Sequence, residues 1–183
     1  MKMKVFFTLI IMAVYQLGTA QNIGVEKSVY SIQTGFLGVW FNQESRLSPA
    51  VVLRSEVGFD GGIRGGDVIG KTIIGLTPVI ALEPRWYYNI SKREVNGKII
   101  KNNSSNFLAV GIKYHPDWFV IGNSNNISID EQISVIPKWG IRRSIAQSSF
   151  NYEIGLGIGK RYYTALKEWE TTADLHLRIG YSF

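Results

Sequence analysis

The sequence predicts an all-β fold, an antiparallel up-and-down β-barrel of eight strands that crosses a membrane. The first observation is that apolar and polar residues alternate with a period of two along much of the chain after residue 50, which is typical of strands whose two faces meet different media. The second is that no run of 18 or more apolar residues follows residue 20, so a helical span is not predicted. A closed barrel then remains as the way to cross a bilayer, because every backbone polar group must be paired there.

Residues 1–20 have the three parts of a cleavable secretory signal. Two lysines form a positive start, an apolar stretch too short for a membrane span follows, and small residues precede the expected cleavage before Gln21. These parts are Lys2 and Lys4, residues 5–15, and Gly18 with Ala20. We therefore expect a signal peptide over residues 1–20 and one barrel domain over residues 21–183.

The composition limits the classes of partner and of covalent stabilisation. The chain has 183 residues, no cysteine and a formal charge of +6, which falls to about +4 when Lys2 and Lys4 leave with the signal. Without cysteine the chain forms no disulfide and carries no lipoprotein attachment site. The basic residues are dispersed between the predicted strands and form no stripe, so we expect no nucleic-acid partner.

The last strand shows the alternation most clearly. Every odd position from 173 to 183 is apolar, and polar or small residues fill the even positions. We expect one face of this strand to meet an apolar medium and the other a polar interior. The apolar set includes Leu175, Leu177, Ile179, Tyr181 and Phe183, and the polar set includes Asp174, His176 and Arg178.

Other segments repeat this pattern at about the length that a tilted strand needs to cross a bilayer. A seventh strand is predicted over residues 30–42, where Phe36 and Trp40 compete with their apolar neighbours for one face, which indicates a bulge or a strand covered on both sides. An even strand number requires an eighth strand, either in residues 21–34 or in the glycine-rich residues 61–75. The other five segments are residues 51–60, 76–90, 107–120, 133–143 and 150–160.

The polar face is predicted to point inward. It is rich in glycine and alanine, which suits a crowded interior better than a solvated exterior, because small residues make room for paired long ones. Alternation alone also fits a soluble lipocalin-like carrier, in which apolar residues line a cavity and polar residues meet water. The direction of Arg54, Glu83 and Arg178 distinguishes the two arrangements.

Aromatic residues of the apolar face are expected near one membrane surface. If the chain end is periplasmic, the connections near residues 43–49, 91–106 and 142–149 are periplasmic, and those near residues 61–75, 122–132 and 161–171 are external. One ring of aromatic residues then falls at the periplasmic level, where Trp and Tyr favour the lipid headgroups. The ring comprises Phe41, Trp86, Tyr88, Trp139, Phe150, Tyr152, Tyr181 and Phe183, and Phe59 and Trp118 begin the opposite ring.

The aromatic chain end, in phase with the apolar face, resembles the C-terminal assembly signal of bacterial outer-membrane β-barrel proteins. The whole mature chain is similar to the small OmpA/OmpX/OmpW-like barrels of Gram-negative bacteria. This resemblance implies an outer-membrane location and contact with outer-membrane lipid and with the barrel assembly machinery, but it does not fix an activity. Our first hypothesis is a non-enzymatic barrel without cofactor, which stabilises the envelope or presents surface loops for binding. Any ligand is expected at the extracellular loops. The assembly signal comprises Leu175, Leu177, Ile179, Tyr181 and Phe183.

The inward face is expected to carry a network of paired charges. Both signs are present in a narrow lumen, and an unpaired charge in a poorly hydrated interior costs several kcal/mol. The functional alternative is a gated polar pore or a site for a small anion among the arginines, although eight strands leave an interior only just filled by side chains. The network comprises Arg54, Glu56, Glu83, Arg85, Lys113, Lys138, Arg142, Glu153, Asp174, His176 and Arg178.

A second hypothesis is a lipid-modifying enzyme. His115 and Asp117 share one face of a predicted strand, and a carboxylate beside a histidine can orient a general base. No serine lies at a spacing that resembles the motifs of such barrel enzymes. Metal binding is not predicted, because the chain has neither cysteine nor a histidine pair at helical spacing.

The connection Ser91 to Asn106 is the longest polar one. Asn96-Gly97 within it is a hairpin signal, so the flanking strands are predicted to extend beyond the membrane. Its lysines and arginine predict a solvated basic turn, and the alternative is contact with anionic lipid or a periplasmic partner.

Overall fold

The computed structural model describes residues 24–36, 38–64, 73–123 and 128–183, and the expected signal at residues 1–20 lies outside them. Strands dominate, and among the described residues no helix has the length and apolarity needed to cross a membrane. The strands are β1 (Ser28–Gly35), β2 (Gly38–Ser48), β3 (Val51–Arg64), β4 (Ile73–Trp86), β5 (Asn106–His115), β6 (Ile121–Gly122), β7 (Gln132–Ser144), β8 (Phe150–Tyr163) and β9 (Glu168–Ser182), with a helix α1 (Ile90–Val95) and a 3-10 helix (Lys101–Asn103).

Eight of these strands close into one antiparallel barrel. Strands β1 to β5 pair in chain order, β5 pairs with β7, and pairing continues through β8 to β9. The barrel closes where β9 pairs with β1, with Ser182 opposite Ser31 and Arg178 opposite Gly35. The two-residue β6 adds only a short pairing to β4. The predicted all-β class and the antiparallel barrel of eight strands are confirmed, whereas its position in a membrane stays a prediction.

The eighth strand is β1, which begins inside the first candidate segment, residues 21–34. The single strand predicted over residues 30–42 was wrong, because β1 and β2 form a hairpin that pairs along its length. The tight connection between them resets the alternation. Trp40 therefore points into the barrel, whereas Val39 and Phe41 point outward.

Two predicted strands end earlier than the alternation indicated. The strand predicted over residues 107–120 ends at His115, where Pro116 follows and offers no N–H to a ladder. The strand predicted over residues 76–90 ends at Trp86, and α1 begins at Ile90. In both segments the alternation of apolar and polar residues thus continues beyond the last residue of the strand.

The barrel is polar inside and apolar outside. Along β9 the burial pattern alternates, with Arg178 buried and Leu177 and Ile179 exposed. Arg54 and Glu83 are also buried on the inner face, at 2% and 7% exposure. A carrier with an apolar cavity needs the opposite arrangement.

We call the end of the barrel at which β1 begins and β9 finishes the lower end, and the opposite one the upper end. The β4–β5 connection closes the lower end with α1 and the 3-10 helix, so the hairpin predicted at Asn96-Gly97 was wrong. Gly97 has a φ of 64° and follows α1, a conformation that glycine adopts without cost.

Between this connection and the ionic interior lies a small apolar core. Buried side chains from the lower ends of the strands pack there against α1, and Arg85 stacks at 4.2 Å over the Phe107 ring. The core separates the ionic interior from the lower solvent, because apolar side chains fill the space between the strands. It comprises Val25, Val52, Tyr87, Ile90, Phe107 and Ala109, with Ala50 and Ile100 packed against it.

Candidate functional site

The middle of the barrel is filled by a balanced ionic network. Six cations and six carboxylates of the described residues form the ion pairs, so the formal charge inside cancels if the two histidines are neutral. A buried charge requires such pairing. The cations are Arg54, Arg85, Lys113, Lys138, Arg142 and Arg178, and the carboxylates are Glu44, Glu56, Asp60, Glu83, Glu153 and Asp174.

Glu153 on β8 lies at the centre of this network. Arg85 Nη2 donates to its Oε1 at 2.6 Å, and Arg54 Nη1 donates to its Oε2 at 3.3 Å. Arg142 Nη1 lies 3.5 Å from the same Oε2, and His176 Nε2 lies 3.2 Å from Oε1. One carboxylate from β8 therefore connects three arginines and one histidine from four other strands.

Glu44 on β2 is a second centre that the sequence reasoning missed. Arg142 and Arg85 approach its Oε1 at 3.1 and 3.2 Å. The hydroxyl of Tyr87 donates to it at 3.0 Å, and Asn103 Nδ2 donates to Oε2 at 2.7 Å. Every second residue after Trp40 also points inward, which leads through Asn42 to Glu44. The inward direction of Trp40 itself became clear only with the β1–β2 hairpin.

Nearer the upper end, lysines connect three carboxylates. Lys138 Nζ lies 2.8 Å from both Glu83 and Asp174, and Lys113 Nζ lies 3.3 Å from both Asp174 and Asp60. These five residues come from five strands, β3, β4, β5, β7 and β9. Asp60 was not among the predicted network residues.

Arg178 on β9 adds the remaining cation. Its Nη1 donates to Glu56 at 2.6 Å, and its guanidinium stacks at 3.8 Å over the Trp40 ring. Glu56 also accepts a hydrogen bond from Arg54. The structure thus brings together all eleven residues proposed for the interior network and adds Glu44 and Asp60.

Glycines on the inner face make room for these long side chains. A Cβ at Gly155 would lie 2.6 Å from His176 Cε1, and a Cβ at Gly111 would lie 3.1 Å from Lys138 Cε. At Gly140 the space is taken by the Phe107 ring. The small inward residues are therefore required by the volume of their cross-strand neighbours.

The predicted pair of His115 and Asp117 does not form. His115 Nε2 lies 3.0 Å from Asp60 Oδ2, whereas Asp117 is exposed beyond the end of β5. Trp40 Nε1 donates to the other Asp60 oxygen at 2.6 Å. The predicted pair was wrong because Pro116 ends the strand, so that Asp117 no longer lies on the inner face.

Above the ionic network the interior opens into a cavity of about 380 Å³, which we call the cup. Below it, the described side chains leave a space of only about 10 Å³ among Arg54, Glu83 and their neighbours. The cup therefore has an ionic floor. Its wall includes Asp60, Thr77, Lys113, His115, Gln132 and Arg161.

The outer face carries aromatic clusters at both ends. Near the lower end, Tyr30 stacks on Phe41 and Phe183, and Phe150 packs edge-on against Tyr181. Trp86, Tyr88 and Tyr152 are also exposed, and Trp139 Nε1 donates to the Tyr88 hydroxyl at 2.9 Å. Near the upper end, Phe59 packs against Phe119, Tyr162 packs against Trp169, and Trp118 is exposed.

The proposed assembly-signal residues all lie on the outer face of β9 or directly after it. They are exposed, and the Phe183 N–H donates to the Tyr30 carbonyl at 3.0 Å, which joins the chain end to β1. The set is Leu175, Leu177, Ile179, Tyr181 and Phe183.

Within the described ranges, no group of three or more histidine and carboxylate side chains could hold a metal ion. Comparisons of the chain with models of protein families, with curated proteins and with solved structures find no match. Function must therefore be argued from the barrel itself.

Proposed function

We propose that this chain is an outer-membrane β-barrel protein with a non-enzymatic role, either structural in the envelope or in binding through its upper end. The observation that carries the proposal is the inverted distribution of polarity. Charged side chains fill the interior, and large apolar side chains cover the outer face of the strands. Lipid is the solvent in which such an exterior is stable.

The extent of the apolar exterior supports lipid contact. Leu175 is 75% exposed, Ile158 68% and Ile179 58%, and similar residues cover the other strands. Soluble monomers rarely expose contiguous apolar patches larger than a few hundred Å². The backbone is also suited to a bilayer, because each barrel strand pairs on both sides.

The positions of the first and last barrel strands support an orientation with the lower end in the periplasm. Both the start of β1 and the end of β9 lie at that end, as expected for a strand number that is even. In this orientation the lower aromatic cluster lies at the inner headgroup level, and Phe183 is available to the barrel assembly machinery. We also propose that residues 1–20 act as the signal that directs export.

The closed lower end argues against a standing pore. The apolar core around Phe107 and the paired interior below the cup leave no wide passage among the described residues. A passage through the barrel would require separation of fully buried ion pairs, which is costly. A rigid, filled barrel that presents its upper end outward is consistent with structural or binding roles.

Membrane fractionation together with gel mobility tests the proposal. We expect the mature chain in the outer-membrane fraction, released only by detergent, with a mobility on semi-native gels that changes on heating as the barrel unfolds. Recovery of a detergent-free monomer from a periplasmic extract would contradict the membrane assignment.

The non-enzymatic part of the proposal has a separate test. Deletion of the gene, or a His115→Ala substitution, is expected to leave the lipid A profile of the cell unchanged. A missing lipid A modification that is restored by the natural gene and not by the His115→Ala variant would support an enzyme instead.

A further inference from the structure

Among the described residues, the cup is an open polar cavity above a floor that is ionic and closed. Its volume of about 380 Å³ falls within the range of small-molecule sites, about 300–1,000 Å³. Its wall combines buried charged residues with uncharged hydrogen-bonding side chains, among them Thr77, Gln132 and Ser134. Such convergent polar groups in a concave site fix the orientation of a ligand.

The carboxylates of the cup are already paired with cations of the barrel. Asp60 accepts hydrogen bonds from Trp40 Nε1 at 2.6 Å and Lys113 at 3.3 Å, and lies 3.0 Å from His115 Nε2. Asp174 accepts from Lys138 at 2.8 Å and also pairs with Lys113. Among the described residues, a cationic ligand would therefore compete with lysines for both of these carboxylates.

Arg161 is a cation whose charge has no carboxylate partner within the described part of the chain. Its Nη1 donates to the Tyr163 hydroxyl at 3.2 Å, which is a neutral partner. Its Nε is buried without a hydrogen-bond partner among the described residues. Guanidinium groups in this state are suited to a carboxylate, which they bind with two parallel hydrogen bonds.

Gln132 supplies an acceptor that is also unused. The side chain is 6% exposed and lines the cup, and its Oε1 has no hydrogen-bond partner among the described residues. A buried polar atom of this kind indicates a partner that the protein itself does not provide. A ligand hydroxyl can donate to it, whereas a bare carboxylate cannot.

We infer that the cup binds a small carboxylate that also bears hydroxyl groups, such as a sugar acid. The carboxylate pairs with Arg161, and a hydroxyl donates to Gln132. The pairing of both acidic residues with lysines favours an anion over a cation. This inference concerns the upper end of the barrel and does not depend on whether its exterior meets lipid or detergent.

Calorimetric titration of the refolded mature chain in detergent tests the inference, with D-gluconate as the probe and D-glucose as its uncharged counterpart. We expect saturable binding of gluconate with a Kd below about 10 mM and no comparable binding of glucose. Arg161→Gln is expected to weaken gluconate binding about tenfold or more, because it removes charge-assisted hydrogen bonds.

Two further variants separate recognition from folding. Gln132→Glu nearly preserves side-chain shape and adds a negative charge, so it is expected to abolish gluconate binding while the heat-shifted gel mobility remains. Lys160→Gln removes the neighbouring positive charge, whose side chain is exposed on the opposite face and bonded to Thr171, and is expected to bind like the natural chain. Absence of saturable gluconate binding, equal binding of glucose, or equal loss in the Lys160→Gln and Arg161→Gln variants would overturn the inference.

Discussion

At the scale of single residues, the interior depends on a few carboxylates that each bind several cations. Glu153 is fully buried and connects Arg54, Arg85 and Arg142. Removal of one partner from a buried charge network leaves the others uncompensated, which is more costly than loss of an exposed pair. Glu153 is therefore expected to contribute more to stability than any exposed carboxylate.

A Glu153→Gln substitution tests this expectation. It removes the charge that three arginines share, and we expect the free energy of unfolding to fall by about 3–5 kcal/mol. Urea titration of the heat-shifted gel band measures the change. Glu168→Gln is the control, because Glu168 is exposed at the start of β9; an equal effect of both substitutions would show that the network is not what holds the barrel.

Glycine positions give a second test at this scale. A Cβ at Gly155 meets the His176 ring at 2.6 Å, whereas a Cβ at Gly62 meets no atom within 4 Å. Gly155→Ala is expected to destabilise the barrel by about 1–3 kcal/mol through overpacking, and Gly62→Ala to leave stability nearly unchanged. If thermal unfolding shifts equally for both, crowding of the inner face is not the reason for glycine at 155.

At the scale of elements, each strand has one face for the interior and one for the exterior. β9 carries Arg178 into the ionic network and Leu177 and Ile179 to the outside. A single residue of insertion would exchange these faces, because the side-chain period is two. Strand β9 also closes the barrel against β1, so a shift in the register of β9 affects the whole sheet.

A charge on the outer face tests whether that face meets lipid. Leu177→Arg is expected to destabilise the barrel in a bilayer by about 2–4 kcal/mol if residue 177 lies near the midplane. Val95→Arg is the control, because Val95 is 85% exposed on α1 and outside the strands. Equal folding yields of the two variants in lipid vesicles would argue that the outer face does not enter the hydrocarbon.

At the scale of the whole molecule, the described residues form a barrel that is closed below and open above. The β4–β5 connection reaches into the lower end, where Asn103 donates to Glu44 and its side-chain oxygen accepts from the Glu26 N–H. The cup lies at the other end, above the ionic floor. Among the described residues, the lumen is thus a cavity with one entrance, which lies at the upper end.

Planar-bilayer recording tests this closed form. The natural chain is expected to show no stable single-channel steps, because ions would have to cross paired charges and the apolar core at Phe107. Reproducible steps of one conductance, in preparations that also show the heat-shifted band, would contradict a sealed interior.

Several parts of the structure were predictable from local pattern alone. The alternation along β9, and the same pattern in the middle of β3, β5 and β8, predicted strands with a polar and an apolar face. The abundance of inward glycine predicted a crowded interior, and the distances at Gly155 and Gly111 give the reason. Such features depend on neighbouring residues in one strand, and the chain displays them directly.

Other parts could not be predicted because they depend on contacts between distant segments. Asp60 replaces Asp117 as the partner of His115 because Pro116 ends β5 and because β3 and β5 pair with opposite edges of β4, which brings their inward side chains close together. Glu44 became an interior residue only because the β1–β2 hairpin resets the phase at Trp40. The helical cap replaced a predicted hairpin because Ile90 and Tyr87 bury apolar area against Val25 and Phe107.

The sequence by itself therefore determined the barrel class, the strand faces and the ionic character of the lumen, since these follow from a period of two and from the need to pair buried charge. Only the tertiary structure decided which charges pair, where the lumen is closed and where the cup remains. The physical reason is that partner choice depends on strand register and closure, which are set by packing across the whole ring.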